Sequence, residues 1–258
     1  MKKKSINLQP YNIKRPTHVR WNFPYLEPHQ EPWVMIRNKD LRRGLKNYEE
    51  IVRKNEITWE FRPLPVTEFE AWIAYYKKQM VALEFSVLAN TDKFNQFINK
   101  GRELFTFDIY LAGELKGRKL ITFEHGKATS CFKASEHVPR MAKKISLGAL
   151  LDYLMLKVIL QKKDVQSISF GRSENEFGVS CKIGYLAYKF QFGQVVSAAN
   201  AENLNTVEVN PEGYAFFYAF DEKDDLKLYS IKPKKPDENY EMIKKIAPEG
   251  VIELEVND

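Results

Sequence analysis

Residues 143–160 read KKISLGALLDYLMLKVIL, two lysines, a serine and a glycine running into a segment where only Asp152 and Lys157 are charged. Leu147, Leu150, Leu151, Leu154 and Val158 recur at helical spacing, and the positions between them are nearly as apolar. The segment therefore reads as a helix covered on more than one side. Its beginning is built differently. Ser146 is a good N-cap, and Gly148 and Ala149 are small enough to let a ligand approach the backbone. The first N–H groups of a helix have no partner within it, and the helix dipole makes that end positive. With Lys143 and Lys144 in front, the segment predicts a buried helix whose N-terminus receives phosphate. A capped core helix preceded by two solvated lysines is the plainer reading of the same letters.

Working outward, the period changes. ELFTFDIYLA (103–112), GRKLITFEHG (117–126) and KATSCFKAS (127–135) alternate and are joined by Gly-containing turns, which predicts a three-stranded antiparallel meander. Before it, TEFEAWIAYYKKQMVALE (67–84) predicts a helix opened by a Thr67/Glu70 capping box, with Phe69, Trp72, Ile73, Tyr76 and Met80 inward. TDKFNQFINKG (91–101) predicts a second helix capped by Thr91 and stopped at Gly101. ITWEFRPLP (57–65) predicts a strand, and DLRRGLKNYEEIVRKN (40–55) a charged helix. After the central helix, VQSISFG (165–171), YLAYKFQFGQVV (185–196), YAFFYAF (214–220) and LKLYSIKP (226–233) predict a strand-rich end. Residues 1–33, crowded with Pro, Asn, His and aromatics, predict an irregular arm. Three regions result: an arm and helix over 1–56, a core over 57–200 and an acidic extension over 201–258.

The chain has 258 residues, 44% hydrophobic and 29% charged, long enough to bury a sizeable core. Its +6 charge is uneven: +8 over residues 1–54, +5 over 55–200 and −7 over 201–258. The basic front and centre favour an anionic partner such as a nucleotide, CoA or tRNA. The basic start is followed by no apolar run, so no export signal is expected, nor any membrane partner. Cys131 and Cys181 are too few for a disulfide framework, which predicts a reduced, cytoplasmic setting. Four scattered histidines predict no metal, and Walker, HExxH and GxSxG patterns are absent.

The order strand, helix, helix, meander, basic-glycine turn, apolar helix, strand resembles the GNAT acyltransferases. KKISLGALL is similar to their acyl-CoA pyrophosphate loop, Q/R-x-x-G-x-G/A, with Lys143 at the basic position, Ser146 at the first glycine and Gly148 at the second. SISFGRSENEFGVSCKIGYLAYKFQFG resembles the strand–loop–strand of FemAB-like members through Phe170, Gly171, Arg172 and Ser173, then Tyr188, Lys189, Phe192 and Gly193. Ser169 departs from the acid common there. The resemblance spans about residues 57–196. It implies a mixed α/β fold, a twisted mixed sheet with helices on both faces, and a splay between the fourth and fifth strands that admits the pantetheine arm.

The chemistry this resemblance implies is transfer of an acyl group, most simply acetyl from acetyl-CoA, to a small amine by direct attack. It puts backbone contacts to the thioester at Phe132, Lys133 and Ala134, and diphosphate contacts at Lys143, Lys144, Ser146, Leu147, Gly148 and Ala149. Glu124, Glu136 and His137 stand at strand ends as candidate bases, with Glu124 also placed to bind substrate. Tyr188 is the candidate acid on the leaving thiolate, and Arg172 with Ser173 the candidate grip on a substrate anion. Cys131, mid-strand, is expected to be buried and inert. Two rivals stay open: a FemAB-like transferase using aminoacyl-tRNA, which suits the basic front, and a GNAT-derived binding protein without catalysis. The YAFFYAF strand could offer an edge to a second copy of the chain, although a core strand is the plainer reading.

Overall fold

A computed structural model describes residues 3–24, 30–142, 145–162, 164–199, 202–210, 213–233 and 235–255. In chain order the strands are β1 Lys4–Asn7, β2 Arg15–Pro16, β3 His18–Phe23, β4 Ile57–Pro63, β5 Glu103–Leu111, β6 Glu114–Glu124, β7 Lys127–Ser135, β8 Ser167–Glu174, β9 Val195–Ala198, β10 Asn203–Leu204, β11 Thr206–Val209, β12 Ala215–Phe220, β13 Leu226–Ile231 and β14 Ile252–Leu254. The α-helices are α1 Lys39–Lys46, α2 Tyr48–Lys54, α3 Phe69–Ala82, α4 Thr91–Asn99, α5 Leu147–Leu160, α6 Ile183–Gln191 and α7 Glu238–Ile246. The fold is mixed α/β, and the chain divides into two compact units: Pro24–Phe170, and Met1–Phe23 together with Gly171–Asp258. These divisions differ from the expected boundaries at 56/57 and 200/201.

Within Pro24–Phe170, β4, β5, β6 and β7 form an antiparallel meander, and β7 pairs in parallel with the start of β8. The first hairpin turn is tighter than the sequence suggests, and both are two residues long. Ala112–Gly113 and His125–Gly126 both take positive φ, the two-residue turn whose twist matches the strands it joins. Neighbouring residues on a strand face opposite ways. Leu120 and Ala134 therefore join Trp72, Tyr76 and Phe94 of α3 and α4, while Lys119 and Lys133 reach Asp152 of α5 on the other face.

Several local expectations change. The residues at 40–55 make two short helices broken at Asn47, not one. Thr67 caps nothing: it lies in a 3-10 turn, and α3 begins at Phe69 without a side-chain cap. Asn90, not Thr91, caps α4 by accepting the Lys93 N–H.

The other unit departs further. The expected irregular arm contains β1, β2 and β3; β3 buries Val19, Trp21 and Phe23 by strict alternation and pairs with β9. Residues 183–191, expected in a strand, are helix α6, which buries Leu186, Ala187 and Phe190. The YAFFYAF stretch is not an open edge. Residues 215–219 are all buried, β12 pairs with β13, and Lys14 and Phe177 bridge to it. Its outer side is thus occupied at Phe216 and Phe220 by the chain itself. Asn175 ties the unit together. Its side chain donates to the carbonyls of Pro16 and Tyr218 and accepts the Tyr218 N–H, each at 2.7 Å. Beside it Arg15 and Glu176 form a buried ion pair at 2.8 Å.

Candidate functional site

The N-terminus of α5 forms as its sequence suggests. Ser146 has extended backbone, and its hydroxyl accepts the Ala149 N–H at 3.2 Å. Its carbonyl accepts the Leu150 N–H at 3.0 Å. Among the described residues, no hydrogen bond is made by the amides of Leu147 or Gly148. The chain before the helix is held by a bridge between Ala142 and Ile145. Ile145 in turn packs so closely on α1 that a Cβ at Gly44 would lie 2.7 Å from its side chain. Lys143 and Lys144, the expected basic positions, lie outside the described residues.

Two side chains of β7 approach this corner. A Cβ added to Gly148 would stand 3.5 Å from the Ser135 hydroxyl and 3.8 Å from the Lys133 ammonium, ordinary contact distances. The helix end thus faces a cation and a hydroxyl with room left at Gly148. Lys133 was expected to contribute only backbone, yet its ammonium lies here, 2.7 Å from Asp152.

Beneath it sits a charge cluster that sequence reasoning missed. Asp152, buried within α5, accepts from both Lys119 and Lys133. Lys119 and Lys133 are directly opposite one another on β6 and β7, a like-charge pair that requires a counter-ion between them. Burial lowers the Lys119 ammonium to about 8 despite the opposing pull of Asp152. Burial alone would raise the Asp152 carboxyl, but the two ammonium groups outweigh it and hold it well below the usual carboxylate range. The signal in the sequence was Asp152 itself, the one acid in an apolar helix.

The strand beside this corner is irregular. Leu120 pairs with Phe132 but Ile121 pairs with Ser130, so Cys131 is an extra, bulged residue of β7. Pairing of β7 with β8 runs only from Lys127–Ser167 to Thr129–Ser169, and β7 continues six residues beyond, to Ser135. The bulge turns Phe132 toward α3 and α4, where its ring packs 5.6 Å from Tyr76 and 6.3 Å from Phe94. Ala134 is buried on that same side. Burial raises the Cys131 thiol pKa, which suits a structural residue rather than a nucleophile.

The candidate bases separate. Glu136 follows β7 at this same end; its carboxylate is 3.0 Å from the Lys116 ammonium. His137 next to it is exposed. Glu124 is at the far end of β6, roughly 27 Å away along the strand from Lys116, and bonded to Arg102 at 2.8 Å. The structure therefore removes Glu124 from the corner. Close to Glu136 lies a second buried network. Arg118 grips Asp108 with two bonds of 3.1 and 2.6 Å, Thr106 donates to Asp108, and Trp72 donates to Thr106. Burial, then the charge of Glu136, raises the Tyr75 hydroxyl pKa.

The remaining expected residues belong to the other unit. Arg172 is exposed on β8. Ser173 accepts the Trp21 indole N–H at 2.9 Å, a structural task. Tyr188 is on helix α6 rather than a strand, its ring 5.4 Å from Phe192. Among the described residues, no cluster of three or more His, Cys, Asp or Glu could hold a metal, and no helix is long and apolar enough to cross a membrane.

No protein-family profile matches the chain, and no curated protein matches it by sequence. Solved structures do. FemX overlaps 74% of this chain and 62% of its own, at 13% identity and a TM-score of 0.50. The C-terminal DUF2156 domain of a putative lysylphosphatidylglycerol synthetase from Agrobacterium fabrum overlaps 76% and 60%, at 10% identity and a TM-score of 0.42. A tandem GNAT protein from the clavulanic acid biosynthesis pathway overlaps 79% and 57%, at 12% identity and 0.38. The chain thus spans about 60% of the length of the structures it matches. The fold is similar to that of FemX, at low sequence identity.

Proposed function

We propose that this chain is an N-acyltransferase that moves an acyl group, most simply acetyl, from acyl-CoA to an amine by direct attack. The observation that carries the reading is the corner itself. Gly148, in the first turn of α5, stands beside the Lys133 ammonium with room for a Cβ, at the end of β7 that extends past its pairing with β8. An anionic diphosphate suits the helix end and the cation together, with Lys143 and Lys144 adding charge and Ser146 and Ala149 completing the turn. The backbone of Phe132, Lys133 and Ala134, beyond the end of that pairing, would then meet the thioester.

In the reaction, the neutral amine attacks the thioester carbon and an oxyanion forms. The amine proton passes to a base, the C–S bond breaks, and the thiolate is protonated. Glu136 or His137, adjoining the corner, would take the amine proton, and solvent would supply the one that reaches sulfur. Positioned proton transfer of this kind is worth about 10²–10⁴ in rate.

A second reading keeps the corner and changes the donor. The +8 charge of residues 1–54 favours aminoacyl-tRNA in place of CoA, the donor that the FemAB-like resemblance implies.

Thermal unfolding with acetyl-CoA, CoA or aminoacyl-tRNA separates the two. A ligand at a hundred times its Kd stabilises the native state by about 2.7 kcal/mol, or roughly 5–10 °C for a chain of this size. The comparison is with Gly148→Glu. Its Cβ meets only ordinary contacts, and its carboxylate at a helix N-terminus favours folding while repelling phosphate. Stabilisation by CoA that this substitution abolishes supports the acyl-CoA reading. Stabilisation by tRNA alone supports the second. A chain that responds to neither is a binding protein of this fold and not a transferase.

A further inference from the structure

At the opposite end of α5 from the corner, roughly 20 Å away along the helix, the ammonium of Lys162 stands over three phenylalanine rings. Its nitrogen is 5.3 Å from the centroid of Phe61, 5.3 Å from Phe105 and 5.6 Å from Phe123. The rings come from three consecutive strands, β4, β5 and β6, and brace one another. Phe61 stacks on Phe105 at 5.0 Å, and Phe123 meets Phe105 edge-on at 5.1 Å. All three are half-buried, as is Lys162, and Trp59, two residues before Phe61 on β4, is exposed.

Two features separate this box from ordinary lysine packing. Among the described residues, Lys162 has no carboxylate partner and its ammonium has no hydrogen-bond acceptor, so the rings alone hold the cation. Aromatic faces attract positive charge through their quadrupole, and more strongly where water is excluded. A primary ammonium is nevertheless an imperfect occupant, because its three N–H donors find no acceptor on the rings. A quaternary ammonium has no N–H to satisfy and presents methyl groups to the rings.

We propose that Phe61, Phe105 and Phe123 form a binding site for a quaternary ammonium group, closed in this structure by the side chain of Lys162. The tethered lysine competes at a high local concentration, and its long flexible stem lets it swing into water when a better cation arrives. The site is separate from the acyl-transfer corner and does not depend on that assignment.

The test titrates tetramethylammonium chloride into the whole chain and follows the phenylalanine ring protons by NMR. Sodium chloride controls for salt, and tert-butanol serves as the neutral analogue of similar shape. Wild type, Lys162→Ala, Lys162→Gln and Lys162→Ala/Phe105→Leu are compared after confirming native circular dichroism. Both single variants are expected to bind tetramethylammonium at least tenfold more tightly than wild type, and the double variant to lose that gain. No saturable shift in either folded single variant overturns the proposal. So does tert-butanol binding as well as tetramethylammonium, which would make the box an apolar cavity without preference for charge.

Discussion

Replacing Asp152 by Asn tests whether the charge cluster under the α5 corner is closed to water. The carboxylate receives one ammonium from Lys119, 1% exposed, and another from Lys133, 33% exposed. The variant keeps the shape and removes the charge. Lys133 can turn to water, but Lys119 cannot, and a buried charge stripped of its partner costs about 3–5 kcal/mol. An independent ceiling comes from proton loss. Neutralising a lysine of ordinary pKa near 10.5 at pH 7 costs about 4.8 kcal/mol, so the penalty should not exceed roughly 5. That ceiling falls to about 2 kcal/mol at pH 9. The sign follows from linkage: the folded pKa of Lys119 is depressed, so the folded state binds fewer protons than the unfolded one. Stability therefore rises with pH from the folded value toward 10.5. Urea unfolding at pH 7 and pH 9 should show Asp152→Asn losing about 3–5 kcal/mol at the first and about 2 or less at the second. Lys119→Met/Asp152→Leu should recover most of the loss, because a buried ion pair can be replaced by well-packed apolar groups. A loss below about 1 kcal/mol at pH 7 without a pH slope would show that Lys119 is hydrated, and the reasoning would fail.

Three further substitutions act at single residues. Asn175→Ala should destabilise by about 3 kcal/mol or more in urea, since it strands two carbonyls and an N–H inside the protein; a loss under about 1 kcal/mol would mean water reaches them. Glu84 ends α3 with a φ of +56° while the Phe85 N–H bonds back to Met80. Glu84→Gly should therefore stabilise by about 1 kcal/mol in the same assay, and a loss would indicate an unseen role for the carboxylate. Gln194 is 1% exposed, with both side-chain amide atoms lacking partners among the described residues. Gln194→Met should leave the melting temperature unchanged or raise it, whereas a fall of several degrees would reveal a bound water or partner.

The parts of the fold that were legible are those where one period dominates. The meander of β5, β6 and β7 runs for nine residues or more in each strand, with β-branched and aromatic residues between Gly-containing turns. In α3, Phe69, Trp72, Tyr76 and Met80 lie on one face. Helix α6 was misread because Tyr188, Phe190 and Phe192 fall two apart and imitate a strand, while the face that governs burial is Leu186, Ala187 and Phe190. Strand β3 kept its alternation, Val19, Trp21 and Phe23, but a neighbourhood of Pro, His and Asn hid it. The corner divides in the same way. Ser146 and Gly148 announce themselves locally, as capping and closeness are properties of adjacent residues. The Lys119–Asp152–Lys133 cluster does not, because it depends on the register of β6 against β7 and on which turn of α5 lies above them. Lys133 shows the consequence: as a strand residue it offers only backbone to a ligand, yet the register places its ammonium beside Gly148. Whatever anion the helix end accepts must therefore compete with Asp152 for that lysine. Lys133→Met should consequently weaken CoA stabilisation while sparing the fold, because Lys119 remains to neutralise the carboxylate. The discriminating measurement is the CoA-induced thermal shift: Lys133→Met should lose at least half of it, whereas an undiminished shift would mean that Lys133 serves only the carboxylate beneath it.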